Sequence, residues 1–302
     1  CIRDRTNTAL PQAYYNKIEG IEHLTTETGA GQWGAALSYA GAMFDIDVQV
    51  WQVRTSYESK PYRRMLMDLY GGRCYSSPTM DTKAGRAMNE KFPGTTGSLG
   101  MAISEAVEVA LEDEKTHYTL GSVLNHVMLH QTIIGEETLL QLKKFGEDQA
   151  DYVFGCAGGG SNLAGLSFPF IRELIAGNCT TKIVAVEPAS CPSMTEGEFR
   201  YDYGDVAHTT PLMKMYTMGA DFVPDPIHAG GLRYHGMAPM VSHAHHLGLL
   251  QSIALPQETT FKAGRLMART EGIVPAPEST HALAGALLEA RKHQGTPGSG
   301  PA

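Results

Sequence analysis

The sequence predicts an α/β fold built on parallel strands, and three observations carry that expectation. Apolar, β-branched segments of strand length alternate with segments of helical spacing along most of the chain. At two places, "ETGAGQWG" (Glu27–Gly34) and "CAGGGSN" (Cys156–Asn162), a strand-like segment ends in glycines and a helix-like segment begins. The second half of the chain repeats the strand–glycine–helix–strand order of the first. Its 302 residues are enough for one large α/β unit or two intimate subdomains, here divided at 1–140 and 141–302.

In chain order, Ile21–Thr28 is expected as a strand and Ala35–Phe44, small and apolar, as a helix packed closely on a sheet. Asp47–Arg54 alternates at period two and is rich in Val, a strand signal. Glu58–Tyr70 returns to helical spacing. "SLGMAISEAVEVALEDE" opens on a serine cap and carries an apolar helical stripe. Ser122–Lys144 reads as one long helix. Further on, "YVFGC" is a strand, Leu163–Ala176 a helix and "TKIVAVEP" the next strand. From Cys191 to Pro239 runs a Gly-, Pro-, His- and Tyr-rich stretch without clear periodicity, read as a long functional loop. The tail "HQGTPGSGPA" has no apolar anchor and is expected to fray.

The chain is 42% hydrophobic and 19% charged, with 33 glycines, an ordinary globular composition rich in tight turns. A net charge of -8 leaves no basic footprint for nucleic acid. No apolar run approaches the roughly 20 residues of a membrane span. Five scattered cysteines form neither a CxxC pair nor a disulfide framework, so a reducing, cytoplasmic setting is expected.

Three constellations carry chemistry. In "CAGGGSN" three consecutive glycines let backbone N–H groups converge on an anion, and a helix N-terminus adds positive potential. Ser161 and Asn162 add side-chain donors. This is a phosphate cradle; the bland alternative is a tight strand-to-helix turn. This loop is not a nucleotide fingerprint, because it lacks GxGxxG spacing with a later ribose-binding acid and has no GK[ST]. In "ETGAGQWG", backbone donors are placed to hold a carboxylate, and Glu27 stands where a catalytic acid/base would, or simply caps the helix. "EGIVPAPESTHA" (Glu271–Ala282) is a proline-stiffened loop in which Glu278 or Ser279 is placed to cap a helix. His126 and His130 are read as a packing pair without HExxH, the histidines of "HAHH" as a solvated or interfacial face, and no metal site is expected.

Taken together with "SYESKPYRRMLMDLYGG", "LGSVLNHVMLHQTIIGEE", "VEPASCPSMTEGEFRYDYGD" and "HAGGLRYHGMAP", these segments resemble the β chain of tryptophan synthase from about Thr6 to Glu289. Trp33 and "EFRYDYGD" are similar to its stand-alone, β-like class. The resemblance implies a fold-type II pyridoxal-phosphate enzyme with two doubly wound parallel-sheet subdomains, joining L-serine and indole into L-tryptophan and water. It implies that Gly158, Gly159, Gly160, Ser161 and Asn162 hold the cofactor phosphate and that Glu271 stands near its ring. Thr28, Gly29, Ala30, Gly31 and Gln32 would receive the serine carboxylate, and Glu27 would relieve indole of its N–H proton. Arg233 stands where the better-known class carries an aspartate, and is expected to contact substrate. A homodimer and an α-chain partner are implied as well. Other fold-type II activities, serine or threonine dehydratase and threonine synthase, stay open.

The family's Schiff-base lysine falls at Arg5, and arginine stays protonated and forms no such bond. Two readings follow. Either "CIRDR" (residues 1–5) is not native, a sequencing artefact on a fragment lacking its N-terminal part and a C-terminal strand, or Arg5 is genuine and the protein is a non-catalytic cofactor binder. On the fragment reading the chain as it stands is expected to be inactive and poorly soluble, because unpaired sheet edges aggregate.

Overall fold

The computed structural model describes residues 3–294. Cys1, Ile2 and the tail from Gly295, on which the fraying expectation falls, lie outside the described residues. The first half runs α1 (Arg3–Ile18), β1 (His23–Thr28), α2 (Gln32–Phe44), β2 (Asp47–Val53), α3 (Arg54–Ser59), α4 (Pro61–Leu69), β3 (Arg73–Ser77), α5 (Lys83–Lys91), α6 (Leu99–Leu111) and β4 (Thr116–Thr119). Its four strands form one parallel sheet in the order β3-β2-β1-β4.

The sequence explains this sheet locally. Helix α2 needs its small residues: a Cβ on Gly34 would lie 2.7 Å from Val50 Cγ1, and one on Gly41 2.5 Å from Val48 Cγ2. The helix therefore settles directly on β2, burying Leu37 and Ala40 with Leu24 and Val50 in one core cluster. Ser98 caps α6 as expected, its Oγ accepting from the Met101 N–H at 3.2 Å.

The second half runs α7 (Asn125–Gln131), α8 (Ile133–Lys144), β5 (Tyr152–Cys156), α9 (Ser161–Ile175), β6 (Lys182–Pro188), β7 (Glu198–Tyr203), β8 (Leu212–Thr217), a 3₁₀ turn at Gly230–Leu232, α10 (Pro239–His246), β9 (Gln251–Leu255), α11 (Gln257–Thr270) and α12 (Ser279–Lys292). Strands β5, β6 and β9 form a second parallel sheet in the order β5-β6-β9. Strand β6 is covered on both faces, which is why "KIVAVEP" is almost unbroken in its apolar character.

Two expectations are corrected. The single helix over Ser122–Lys144 is two helices broken at Thr132, whose N–H and hydroxyl both turn back to the Leu129 carbonyl. The break lets α7 and α8 both cross α9 closely: a Cβ on Gly165 would strike Gln131, and one on Gly135 would strike the Leu166 carbonyl. The stretch from Cys191 to Pro239 is not structureless, since β7 and β8 pair as an antiparallel hairpin within it. Its pattern is inverted, because Phe199, Tyr201, Tyr203 and Tyr216 share the more exposed face while the opposite face buries Asp202 and Met215.

Candidate functional site

The two strand–glycine–helix junctions share one backbone device. Gly31 caps α2 at φ 96° and Gly160 caps α9 at φ 103°, left-handed conformations that glycine adopts without a Cβ penalty. Neither helix start has a side-chain cap, so the N–H groups of each first turn point outward from the end of a parallel strand.

The tertiary fold brings these junctions together across the Gly230–Leu232 turn. A Cβ on Gly29 would stand 2.9 Å from the Gly230 carbonyl oxygen, and one on Gly158 would stand 2.7 Å from that of Gly231. The turn is thus wedged between the loops, and the three segments enclose one cleft. Of the expected site residues, Glu27, Thr28, Gly29, Ala30, Gln32, Gly158, Gly159, Gly160, Ser161, Asn162 and Arg233 line it. Gly31 lies behind the lining, where it makes the turn and packs on Arg63. Ser122, Trp33, Arg5, Cys156 and Tyr234 are also in the wall.

Glu271 is the exception. It ends α11, its N–H bonded to the Met267 carbonyl at 2.9 Å, and it is exposed outside the cleft lining. The proline-bearing loop after it carries the chain back inward, so Glu278 arrives instead. Glu278 is 9% exposed and its Oε1 accepts from the Gly231 N–H at 2.9 Å. The helix-capping role expected of Glu278 or Ser279 is not realised, because that carboxylate is engaged with the turn.

The polar groups of the cleft are set by burial. Glu27 is 2% exposed, and burial pushes its carboxyl up to about 7, against the opposing pull of a hydrogen bond from the Tyr118 hydroxyl to Oε2 at 2.5 Å. Its neighbour strand supplies that partner: β4 pairs with β1 so that Tyr118 stands opposite Thr25, on the same side as Glu27. The Arg233 guanidinium is 4% exposed; Nη2 donates to the Pro224 carbonyl at 2.6 Å, while Nε and Nη1 have no hydrogen-bond partner. Lys60 Nζ donates to the His228 carbonyl at 3.1 Å behind the turn, and burial lowers its pKa although Glu278 opposes this. Cys156 is no nucleophile, its thiol pushed up to about 12 by burial and then by Glu278.

Sequence reasoning missed Tyr118, Glu278 and the wedge at Gly230–Gly231. "THYT" is a strand of four residues, too short for a period to stand out, and Glu278 was read only as a cap. The double glycine in "HAGGLRYHG" was the available signal for a close approach.

A cleft with a glycine cradle, a buried acid/base and a buried guanidinium can hold a phosphate at one end and move a proton at the other. The sequence profile described as Pyridoxal-phosphate dependent enzyme matches residues 6–299. Tryptophan synthase beta chain 2 of Thermotoga maritima is 54% identical over 288 residues, covering 95% of this chain and 68% of that one. The tryptophan synthase beta chain of Fervidobacterium nodosum is 56% identical, with the same coverage of 95% and 68%. Tryptophan synthase beta chain 2 of Aquifex aeolicus is 55% identical over 95% of this chain and 67% of its own. Among solved structures, a threonine deaminase of T.th. matches 96% of this chain and 79% of its own with TM-score 0.63 at 18% identity, a likeness of fold.

Proposed function

The chain belongs to the pyridoxal-phosphate dependent enzyme family, and on that premise we propose the tryptophan synthase β reaction, in which L-serine and indole give L-tryptophan and water. The observation that carries the site assignment is the convergence of a glycine cradle and a buried carboxylate, from opposite halves of the chain, on one cleft.

The cradle suits a cofactor phosphate. Side chains at Gly158 and Gly159 would collide with Leu232 and Ser122, and the amides of the first turn of α9 have no acceptor within the helix. Gly158, Gly159, Gly160, Ser161 and Asn162 would hold that phosphate. When bound, pyridoxal phosphate supplies an electron sink for the amino acid's α-carbon. The position that would fix the cofactor covalently holds Arg5, which does not fit that role.

The rest is done by this chain's own groups. Thr28, Gly29, Ala30, Gly31 and Gln32 receive the serine carboxylate at the start of α2, with Gly31 acting through the turn it makes. Glu27, with a pKa of about 7, accepts the indole N–H proton at neutral pH and returns it at little cost. Arg233 offers its two unpartnered nitrogens, Nε and Nη1, as donors to substrate. Glu271 is replaced in this scheme by Glu278, which holds the Gly231 turn. The N-terminal unit 1–140, the phosphate unit 141–302, a homodimer, an α-chain partner and a cytoplasmic setting belong to the same proposal. Among the described residues no helix is long and apolar enough to cross a membrane.

The test is product analysis on the chain carrying Arg5→Lys, given pyridoxal phosphate, L-serine and indole. Tryptophan is the expected product, with none from the Arg5 chain. Pyruvate alone, with or without indole, would move the assignment to a dehydratase.

A further inference from the structure

Arg5 is firmly placed. Helix α1 buries Thr8, Ala9 and Ala13 completely and packs on α2 and α7, which aims its first turn at the mouth of the glycine loop. Arg5 Nη1 donates to the Gly121 carbonyl at 2.8 Å and to Ser161 Oγ at 2.5 Å. Ser161 is 3% exposed and is the first residue of α9. Its oxygen accepts from Arg5, so its own O–H is left to donate to a further acceptor.

The charge balance of the cleft points the same way. Two guanidinium groups line it, Arg5 and Arg233, and Arg233 is buried with two nitrogens, Nε and Nη1, unpartnered. Against them, Glu27 in the lining is engaged with Tyr118, and Glu278, just behind the turn on the Gly231 N–H, is faced by Lys60. A chain of net charge -8 therefore concentrates positive charge at one buried place, beside the N-terminus of a helix of 15 residues. An oxyanion is the ligand chemistry that answers all of these groups.

We propose that in this chain Arg5 makes the cleft a non-covalent phosphate-monoester site, with the phosphate seated between the Gly158–Asn162 amides and the Arg5 guanidinium. Pyridoxal phosphate then binds as an anion and leaves as one, because no amine stands at position 5 to condense with its aldehyde. The inference rests on the phosphate reading of the glycine loop and is independent of the reaction assigned to the site.

The experiment is calorimetric titration of the whole 302-residue chain with inorganic phosphate, alongside Arg5→Ala and Arg5→Lys. Arg5→Ala is expected to weaken phosphate binding about ten- to a hundredfold, the effect of losing a charge-assisted hydrogen bond, and Arg5→Lys to retain most of it. In parallel, each protein is incubated with pyridoxal phosphate, reduced with borohydride and mapped by mass. The Arg5 chain should carry no cofactor mass at residue 5, whereas Arg5→Lys should carry it. Circular dichroism of all three separates lost binding from lost folding. Equal phosphate affinity in a folded Arg5→Ala protein would overturn the role of Arg5. Binding by Arg5→Lys alone would mean that Arg5 plugs the cradle, which also overturns it. Failure of every folded variant to bind phosphate would bring down the cradle reading itself.

Discussion

The loop after β1 and the loop after β5 are built alike, and the proposed function gives them different chemistry. Each ends a parallel strand, turns on a left-handed glycine and starts a helix without a side-chain cap. What differs is the side chain delivered at each strand's end. The first loop follows a buried carboxylate held by Tyr118; the second follows a buried thiol and is faced by a guanidinium. The backbone leaves bare amides at both loops, and on the proposed function the flanking side chain decides whether the place binds charge or moves a proton.

The sharpest way to break this comparison is to put a methyl group into each loop. Gly158→Ala would drive a Cβ to 2.7 Å from the Gly231 oxygen and Leu232 Cα, both backbone atoms that cannot step aside. We expect phosphate affinity to fall a hundredfold or more and stability by about 1–3 kcal/mol, read by calorimetry and thermal melting. Gly31→Ala meets Arg63 Cβ at 2.7 Å and the strain of a φ of 96°, so a comparable stability loss is expected. Its phosphate affinity should stay within about threefold of the parent if the loops have separate roles; a parallel loss in both would merge them.

The next effect belongs to Glu27. Its carboxyl rises from an ordinary 4.5 to about 7 on folding, so the folded state favours the protonated form. The stability this contributes is complete below pH 4.5 and is lost as pH rises through about 7, a difference of roughly 3 kcal/mol. Glu27→Gln should flatten that part of the urea-stability profile between pH 4.5 and about 8. An unchanged slope in the variant would mean that some other group titrates there.

The smallest effect is expected from Tyr118→Phe, which removes the hydrogen bond that stabilises the charged form of Glu27. The Glu27 infrared carboxyl band should then titrate at higher pH, with about 1 kcal/mol lost from the folded state above it. Phosphate binding at the other loop should not change.

Much of this arrangement was legible in the chain. Strand-like "IEHLTTET" and "YVFGC" running into glycines marked both loops, and Ser98 marked the start of α6, because these are rules of local backbone geometry. The resemblance supplied roles for Glu27 and Arg233 that the local residues left open. The break at Thr132 was hidden because helical spacing continues across it, and the hairpin of β7 and β8 because its aromatics share the more exposed face while Asp202 is buried on the other.

The sequence by itself determined where the chain turns and which turns offer bare amides, since glycine and strand length act over a few residues. Only the tertiary structure decided which side chains meet there. Tyr118 reaches Glu27 across 91 positions and Arg5 reaches Ser161 across 156, while Glu278 rather than Glu271 reaches the Gly231 amide. Those pairings depend on sheet register, helix packing and the path of a proline-stiffened loop. No period or motif encodes them, because contact between distant residues is fixed by how whole elements pack and bury their surfaces.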